Sequence, residues 1–319
     1  MPTCLSVTFI TMLMQWPRAS IETAPFIPFG VHTLEDAIIW FQRQLFSQAS
    51  TTIGHCPSRQ AGHLYGEASP NYSVYPKAPE RAHALFPNTK IIFLLRDPIE
   101  RVISAFNMKW QIWQCNDAAW RTPACFQTLN DTAESLAVNW VKEFEIYVNK
   151  EMGVIEKCMQ RHTVWTFKSL QECYEMDIMS AVDRYWLLEN SFHVGRSLYV
   201  DQIENWLQWF PADQILVLPS QEFSTDPVPS LRRLFNFLGV TPEKFNTGPL
   251  TYKHHVRQYA VNSASETVLK RLRQVTERLG DLFRPFNARL YSLLNRIGQE
   301  DVSRQLRETF EYYADRTRK

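Results

Sequence analysis

Short, uninterrupted apolar runs alternate along the chain with stretches in which apolar residues recur every three or four positions. The runs at 91–95 and 214–218 predict strands that are covered on both faces, as in a parallel sheet. The stretches 199–210 and 228–238 predict helices, and Gly239 follows the second of them as a C-cap. This order of strands and helices predicts an α/β fold with a doubly wound parallel sheet flanked by helices.

The regions outside these elements differ in pattern. Residues 34–46 carry apolar side chains at helical spacing, whereas residues 47–66 are polar and predict a loop. Residues 111–195 contain no clear strand but several amphipathic stretches, for example 137–148. We interpret the region from about 111 to 195 as a helical insertion that lies over the sheet.

The C-terminal part of the chain predicts helix and then a tail. Residues 264–297 have a helical pattern, and we expect a break at Pro285 because proline removes a helical hydrogen bond. Residues 299–319 are mostly charged and predict a peripheral segment. We therefore expect one domain over residues 1–298, followed by a charged tail.

An arginine follows the first predicted strand at the point where a helix begins. Asp97 and Pro98 end the strand, and proline suits a first helical turn, whose unpaired N–H groups favour negative charge. Arg96 adds a planar, permanently charged fork, and Ser104, roughly two turns later, adds a hydroxyl. The junction therefore predicts an anion site. The alternative is an ordinary strand–loop–helix unit in which Arg96 pairs with Asp97 or Glu100.

Chain length and net charge restrict the classes of protein to which this chain can belong. A chain of 319 residues is long enough to bury one large core. The formal net charge of +1 gives no overall attraction to nucleic acid, so anion binding has to come from local clusters. We therefore expect no nucleic-acid partner.

Four of the six cysteines lie within the predicted insertion. Cys115 and Cys125 are close in sequence, as are Cys158 and Cys173, and two local disulfides would each add about 2–4 kcal/mol of stability. The alternative is four reduced thiols in a cytosolic protein. No two cysteines have the short spacing of zinc ligands, so we predict no metal site.

Several segments of the chain resemble the sulfotransferases that modify carbohydrates, and they occur in that family's order. They are Gly66–Tyr72, Ala78–Arg81, Leu94–Ser104, Gly195–Leu207, Phe210–Leu218 and Phe283–Leu290. The third reads Leu-Leu-Arg-Asp-Pro-x-Glu-Arg-x-x-Ser. The last is most similar to the branch that adds a 6-O-sulfate to N-acetylgalactosamine 4-sulfate. The resemblance covers roughly residues 16–295.

This resemblance implies a P-loop-like fold that uses 3′-phosphoadenosine 5′-phosphosulfate (PAPS) as donor and needs no metal. In the family, the element that contains Arg96 and Ser104 binds the 3′-phosphate of PAPS. The implied acceptor is a hydroxyl of a glycan, in particular a glycosaminoglycan-like polysaccharide.

The resemblance also implies a cellular location. Carbohydrate sulfotransferases of this kind are usually type II membrane proteins of the Golgi, and Asn130 satisfies the glycosylation pattern. The apolar stretch 4–16 is too short to span a bilayer, so no anchor is visible in this chain.

The family's second donor element departs from its usual pattern here. That element is a loop of the form Lys-x-Gly-Thr-Thr/Ser around the 5′-phosphosulfate. Counting back from Trp16-Pro17 places it at 3–8, where both its lysine and its glycine are absent. Ser6 and Thr8 still offer hydroxyls, but a β-branched run without glycine does not easily wrap a phosphate. The N-terminus is either truncated or misread, which we favour, or it belongs to a defective relative.

The resemblance suggests candidates for the remaining roles. Glu22 matches the catalytic glutamate of Lys-Glu-x-x-Phe-Phe in heparan-type relatives, and Glu67 is the second candidate for the base that deprotonates the acceptor. Lys253 and Arg257 match a basic loop over the adenine and 3′-phosphate. The alternatives are a solvated loop carboxylate for Glu22 and a solvated basic turn for the loop.

Three functions are compatible with these features. The first is a Golgi-type glycan sulfotransferase, and the second is a catalytically inactive relative that still binds a glycan or a partner. The third is a P-loop kinase or nucleotide-binding protein. It is disfavoured because the chain contains no Gly-Lys-Ser/Thr sequence.

Overall fold

Parallel strands form a sheet in the part of the chain that the structure describes. They are β1 (Ser6–Thr11), β2 (Tyr65–Ala68), β3 (Lys90–Leu95) and β4 (Ile215–Pro219), in the order β2-β1-β3-β4. The structure is a computed structural model, and it describes residues 6–11, 65–68, 72–114, 133–162, 166, 168–169, 172, 193–240 and 264–316. The two strands predicted from the sequence are β3 and β4, which pair with each other.

The described helices follow the strands in the expected alternation. They are α1 (Ala78–Leu85), α2 (Pro98–Gln114), α3 (Ala133–Arg161), α4 (Tyr199–Leu207), α5 (Ser220–Thr225), α6 (Pro227–Leu238), α7 (Glu266–Arg296) and α8 (Glu300–Arg316). Two single 3₁₀ turns lie at Gly195–Ser197 and Ala212–Gln214. Gly239 ends α6 with a φ of 72°, a left-handed conformation that glycine adopts without strain, so the predicted C-cap is confirmed.

Helices cover the sheet on both faces, which confirms the doubly wound α/β fold. Successive residues of a strand point to opposite faces. Phe93 joins the larger core, which contains side chains of α2, α3, α4, α7 and α8. Ile92 and Leu216 join a smaller core on the other face, against α5 and α6. The uninterrupted apolar sequence of β3 therefore follows from burial on both sides.

The predicted helical insertion is present as far as the structure describes it. Most of its described part is α3, a helix of 29 residues whose apolar face packs on α2 and α7. Trp140 is fully buried, stacks on Phe144, and donates a hydrogen bond from Nε1 to Oδ1 of Asn107 at 3.0 Å. Cys158, near the end of α3, is disulfide-bonded. The other three cysteines of the predicted pairs lie outside the described side chains, so the pairing stays a prediction.

Two expectations for the C-terminal region are wrong. Helix α7 continues through Pro285 without a break, because the buried Phe283 and Phe286 hold both sides of the proline in the core. Their packing outweighs a proline cost of about 3 kcal/mol. The segment after residue 299 is not peripheral either. It forms α8, whose apolar residues at helical spacing, Val302, Leu306 and Phe310, are buried in the main core.

Gln299 joins this C-terminal segment to the sheet. Its Oε1 accepts a hydrogen bond from the backbone N–H of Val217 at 2.9 Å, and its Nε2 donates to the carbonyl of Ile215 at 2.8 Å. One side chain thus satisfies backbone groups on the side of β4 that faces away from β3. The charged composition of residues 299–319 concealed this contact.

Among the described strands, β1 and β2 are the two that the sequence patterns did not predict. Strand β2 begins at Tyr65, within the stretch 47–66 that we expected to be a loop. Strand β1 includes residues of the stretch 3–8, where the family's phosphate-binding loop would fall and whose sequence departs from that loop. Its β-branched and aromatic residues favour an extended strand between two neighbours, for the same reason that they disfavour a loop.

Candidate functional site

Helix α2 begins directly after β3, and Asp97 caps its first turn. Oδ1 of Asp97 accepts a hydrogen bond from the backbone N–H of Glu100 at 2.8 Å, and its carbonyl accepts from the N–H of Arg101 at 2.9 Å. Pro98 occupies the first helical position, where a missing N–H removes no helical hydrogen bond. The predicted helix start is therefore confirmed.

Arg96 lies between the end of β3 and this cap. Its Nε donates to Oε2 of Glu100 at 2.9 Å, and the two side chains are 24% and 28% exposed. Its backbone carbonyl accepts a hydrogen bond from the Tyr199 hydroxyl at 2.9 Å. The pairing with Glu100, which we gave as the alternative to an anion site, is thus present. An anion that binds Arg96 has to share the guanidinium with Glu100.

Ser104 lies on the same face of α2 as Glu100, because the two residues are one helical turn apart. Its side chain is buried. Glu100 in turn contacts Arg96. The fold therefore brings the two residues predicted to bind one anion, Arg96 and Ser104, to one side of the β3–α2 turn.

Burial raises the pKa of Asp97 from 3.8 to about 7. The side chain is only 3% exposed, so its carboxylate loses most of its hydration. The hydrogen bond from Glu100 and the charge of Arg96 lower this pKa again without offsetting the effect of burial. At neutral pH the Asp97 carboxyl is therefore only partly ionised, and it opposes a nearby bound anion less than an ordinary aspartate does.

A cleft of about 290 Å³ opens beside the first turn of α2. Phe283 and Phe310 form part of its apolar wall, and Arg284 and Arg307 also line it. Arg96 and Ser104 do not line this cleft. The cleft is therefore distinct from the predicted anion site.

Two of the motifs that carry the family resemblance meet where α7 packs on α4. Arg289, in the motif 283–290, lies between two acidic residues of α4. Its Nη1 is 3.0 Å from Oδ1 of Asp201, and its Nη2 is 2.8 Å from Oε2 of Glu204. Asp201 is almost completely buried. This arginine therefore joins α7 to α4, and its observed role is structural.

Of the other residues predicted to bind the donor, the structure describes Ser6 and Thr8. Ser6 and Thr8 lie in β1, where Thr8 is in register with Glu67 of β2 and Ile91 of β3. The chain forms a strand from Ser6 onward, so these two hydroxyls do not belong to a phosphate-binding loop. Ligands of doubly wound sheets bind beyond the carboxyl ends of the strands, and β1 ends at Thr11.

Glu67 and the other candidates have less structural support. Glu67 is in register with Ile91, four residues before the end of β3, which corresponds to about 13 Å along the strand. The register therefore does not bring its backbone to the edge where Arg96 lies. Glu22, Lys253 and Arg257 lie outside the described residues.

The structure adds residues to the site that the sequence patterns did not identify. Tyr199 and Ser197 hydrogen-bond to backbone carbonyls of the β3–α2 turn, although about a hundred residues separate the two segments in sequence. Both residues belong to the segment 195–207 that carried the resemblance. Their family match was a signal of importance, but it did not indicate what they contact.

Comparison with known proteins places this fold and turn in a family. The model of the sulfotransferase domain matches residues 72–276, which is more than half of the chain. This chain therefore belongs to the sulfotransferase domain family, as the resemblance predicted. The matched region includes α1, β3, the whole β3–α2 turn and β4.

Individual relatives are distant. The chain is 24% identical to the membrane-associated sulfotransferase kil1 of Dictyostelium discoideum over 73% of this chain and 52% of the relative. It is 24% identical to heparan sulfate glucosamine 3-O-sulfotransferase 3B1 of Mus musculus over 75% of this chain and 50% of the relative. It is 25% identical to the bifunctional heparan sulfate N-deacetylase/N-sulfotransferase 3 of Mus musculus over 76% of this chain and 23% of the relative.

The chain spans about half the length of the first two relatives. A solved sulfotransferase from Alicyclobacillus acidocaldarius is also similar, with a TM-score of 0.42 and 19% identity over 80% of this chain and 75% of that chain. Two of the three curated relatives are named for heparan sulfate. The expected branch acting on N-acetylgalactosamine 4-sulfate receives no support from these relatives.

The described ranges also bear on membrane insertion and metal binding. Among the helices found there, none is long and apolar enough to cross a bilayer. The same ranges contain no cluster of three or more histidine, cysteine, aspartate or glutamate side chains that could hold a metal ion.

Proposed function

We propose that this chain is a sulfotransferase that transfers the sulfuryl group of PAPS to a hydroxyl of a glycan. The observation that carries the proposal is the β3–α2 turn. It places Arg96 beside the start of a 17-residue helix, with Ser104 on the same side, inside the region that matches the sulfotransferase domain.

The residues of this turn fit the 3′-phosphate of PAPS. A guanidinium beside a helix N-terminus favours a multiply charged oxyanion, and a serine hydroxyl adds a neutral donor. Asp97, with a pKa of about 7, carries less than a full negative charge at neutral pH. Glu100 opposes the phosphate by its charge while it orients Arg96 through Nε. We expect Arg96 to turn partly from Glu100 towards the phosphate when PAPS binds.

The reaction moves one group between two oxygens. The acceptor oxygen forms a bond to sulfur, the bond between sulfur and the 5′-phosphate oxygen breaks, and 3′-phosphoadenosine 5′-phosphate (PAP) leaves. The acceptor's proton passes to a carboxylate. Glu22 is our first candidate for this base, and Glu67 is the second.

The other donor contacts remain part of the proposal. Lys253 and Arg257 would cover the adenine and the 3′-phosphate. Ser6 and Thr8 were proposed as donors to the 5′-phosphosulfate, and their position inside β1 favours residues after Thr11 for that contact instead. No metal takes part in the proposed reaction.

The proposed acceptor is a glycosaminoglycan-like polysaccharide. The names of two relatives support a heparan-type chain. The motif at 283–290 suggested a chondroitin-type chain, but in the structure its Arg289 has a structural contact. We therefore favour the heparan type. A Golgi location with a type II membrane anchor in a longer form of the protein is proposed on the same resemblance.

Calorimetric titration with PAP tests the donor site. We expect the unaltered chain to bind PAP, and Arg96→Ala to lower the affinity roughly 10–100-fold, because one charge-assisted contact to the phosphate is lost. Arg304→Ala is the matched control, since Arg304 also pairs with a nearby carboxylate but lies exposed on α8. It should leave the affinity unchanged.

Turnover tests the acceptor. We expect PAPS with heparan sulfate to yield PAP and sulfated glycan, with less product from chondroitin 4-sulfate. Binding of PAP without turnover on either glycan would favour the inactive relative. Absence of PAP binding to the folded chain would overturn the proposed donor site.

A further inference from the structure

The segment from His193 to Tyr199 lies directly against the β3–α2 turn. The Tyr199 hydroxyl donates a hydrogen bond to the carbonyl of Arg96 at 2.9 Å. The Ser197 hydroxyl is 3.3 Å from the carbonyl of Pro98. This segment therefore contacts the backbone on both sides of Asp97, within the turn that carries Arg96.

The contact from Tyr199 is buried and does not change with pH in the working range of a protein. Its side chain is 1% exposed. Burial raises the pKa of the Tyr199 phenol, so the hydroxyl stays protonated and remains a donor. Its ring also contacts Phe310 of α8, with 6.4 Å between the ring centroids. The hydroxyl and the ring of Tyr199 are thus each held by a contact.

Two buried charged residues fix the segment itself. Arg101 of α2 donates from Nε to the Ser197 hydroxyl at 2.8 Å and from Nη2 to the carbonyl of His193. Glu151 of α3 accepts through Oε1 from the N–H groups of Val194 at 2.9 Å and Gly195 at 3.1 Å. The segment is therefore held by α2 and α3 before it reaches the turn.

We propose that Tyr199 is a positioning residue for Arg96 and, through it, for the 3′-phosphate of the donor. The hydrogen bond fixes the backbone from which the Arg96 side chain extends. Small displacements of such a backbone move a binding group out of its productive geometry. This inference rests on the proposed function, because it assumes that Arg96 binds the phosphate. The simpler alternative is that Tyr199 contributes only to the stability of the fold.

Comparison of PAP with adenosine 5′-phosphate separates these two roles, because only PAP carries the 3′-phosphate. In Tyr199→Phe, which keeps the ring and removes the hydroxyl, we expect PAP affinity to fall roughly 3–10-fold, the value of one buried hydrogen bond. Affinity for adenosine 5′-phosphate should stay unchanged. A purely structural role would lower both affinities equally or neither.

Tyr291→Phe is the matched control. Tyr291 is also buried, and its ring contacts the same Phe310 at 6.3 Å between centroids. It should leave the ratio of the two affinities unchanged. If Tyr199→Phe does not fold, Ser197→Ala tests the same segment, and we expect a smaller selective loss of PAP affinity.

The outcomes distinguish this inference from the proposed function. If Arg96→Ala does not lower PAP affinity relative to adenosine 5′-phosphate, the proposed phosphate site is wrong, and the inference with it. A second outcome is that Arg96→Ala lowers the affinity for PAP relative to adenosine 5′-phosphate while Tyr199→Phe and Ser197→Ala both leave this ratio unchanged. In that case only the positioning role is wrong. Equal losses for both ligands in Tyr199→Phe would also overturn that role.

Discussion

The β3–α2 turn and the contact between α4 and α7 are built from the same residue types but are arranged differently. Each contains a buried aspartate, an arginine and a more exposed glutamate. Between α4 and α7, Arg289 contacts both the buried Asp201 and Glu204. In the turn, Asp97 caps the helix, and Arg96 pairs with Glu100 instead of with Asp97.

The difference separates an arginine that stabilises the fold from the arginine that we propose binds the donor. Arg289 compensates a buried negative charge, so its removal exposes the full cost of that charge. Arg96 pairs with a partly exposed carboxylate, an interaction of small net worth that an incoming phosphate can replace. Both arginines belong to segments that resemble the family, and the sequence alone does not separate their roles.

The largest expected effect comes from removing Arg289, the arginine that joins α7 to α4. Arg289→Ala leaves Asp201 buried without its cation, and we expect the free energy of unfolding to fall by about 2–4 kcal/mol. Urea unfolding measures this loss. The folded fraction should keep its affinity for PAP, because Arg289 pairs with acidic residues of α4 and not with the proposed phosphate-binding residues.

Arg284→Ala is the control for Arg289→Ala. Arg284 pairs with Asp281 on the same helix, but both side chains are more than 60% exposed. It should change the stability by less than about 0.5 kcal/mol. Equal stabilities of the two variants would contradict the structural role of Arg289.

The second prediction concerns Asp97, the buried aspartate of the β3–α2 turn, and the pH dependence of the stability. Because burial raises the pKa of Asp97 from 3.8 to about 7, the folded state binds a proton between these values that the unfolded state has released. The Asp97 contribution to stability therefore falls as pH rises from about 4 to 7. Asp97→Asn keeps an oxygen for the cap but cannot ionise. Relative to the unaltered chain, it should gain about 3 kcal/mol between pH 4.5 and pH 7.5.

Asp97→Ala separates the cap from the charge. It removes both, so it should cost about 1 kcal/mol at pH 4.5, where Asp97→Asn is nearly neutral. Unfolding curves at several pH values measure both variants. A stability difference between Asp97→Asn and the unaltered chain that is independent of pH would show that Asp97 is not titrating in this range.

The smallest expected effect concerns Ser104, the uncharged hydrogen-bond donor of the proposed phosphate site. Ser104→Ala should weaken PAP binding roughly 2–10-fold, because one hydrogen bond to the phosphate is lost while Arg96 remains. Ser292→Ala, a change on α7 that removes only a hydroxyl bonded to the carbonyl of Ala288, is the control. An unchanged affinity in Ser104→Ala would remove Ser104 from the proposed site.

The sequence predicted the elements whose local signals agree with their tertiary surroundings. The apolar sequence of β3, the proline at the start of α2 and Gly239 after α6 each have one strongly favoured structure. Where packing overrides a local signal, the prediction was wrong. Pro285 is accommodated within α7 because its neighbours are buried, and α8 packs into the core despite its charged composition.

The same distinction between local sequence signals and tertiary packing applies to the candidate site. Arg96 and Ser104 were recognisable because strand, turn and helix bring them together within nine residues. Strand β1 was not predicted because residues 3–8 were compared only with the family's phosphate-binding loop, which they fit poorly, and their β-forming residues were not used as a signal for a strand.

The sequence by itself determined the α/β class, the β3–α2 turn with its arginine, and membership of the sulfotransferase family, because these depend on local chemistry and on motifs in order. Only the tertiary structure decided which groups contact that turn. Tyr199 and Ser197 reach it, and Arg101 and Glu151 hold their segment in place, because α2, α3 and α4 pack on one face of the sheet. Contacts between residues so far apart in the chain arise from packing, which no local pattern encodes.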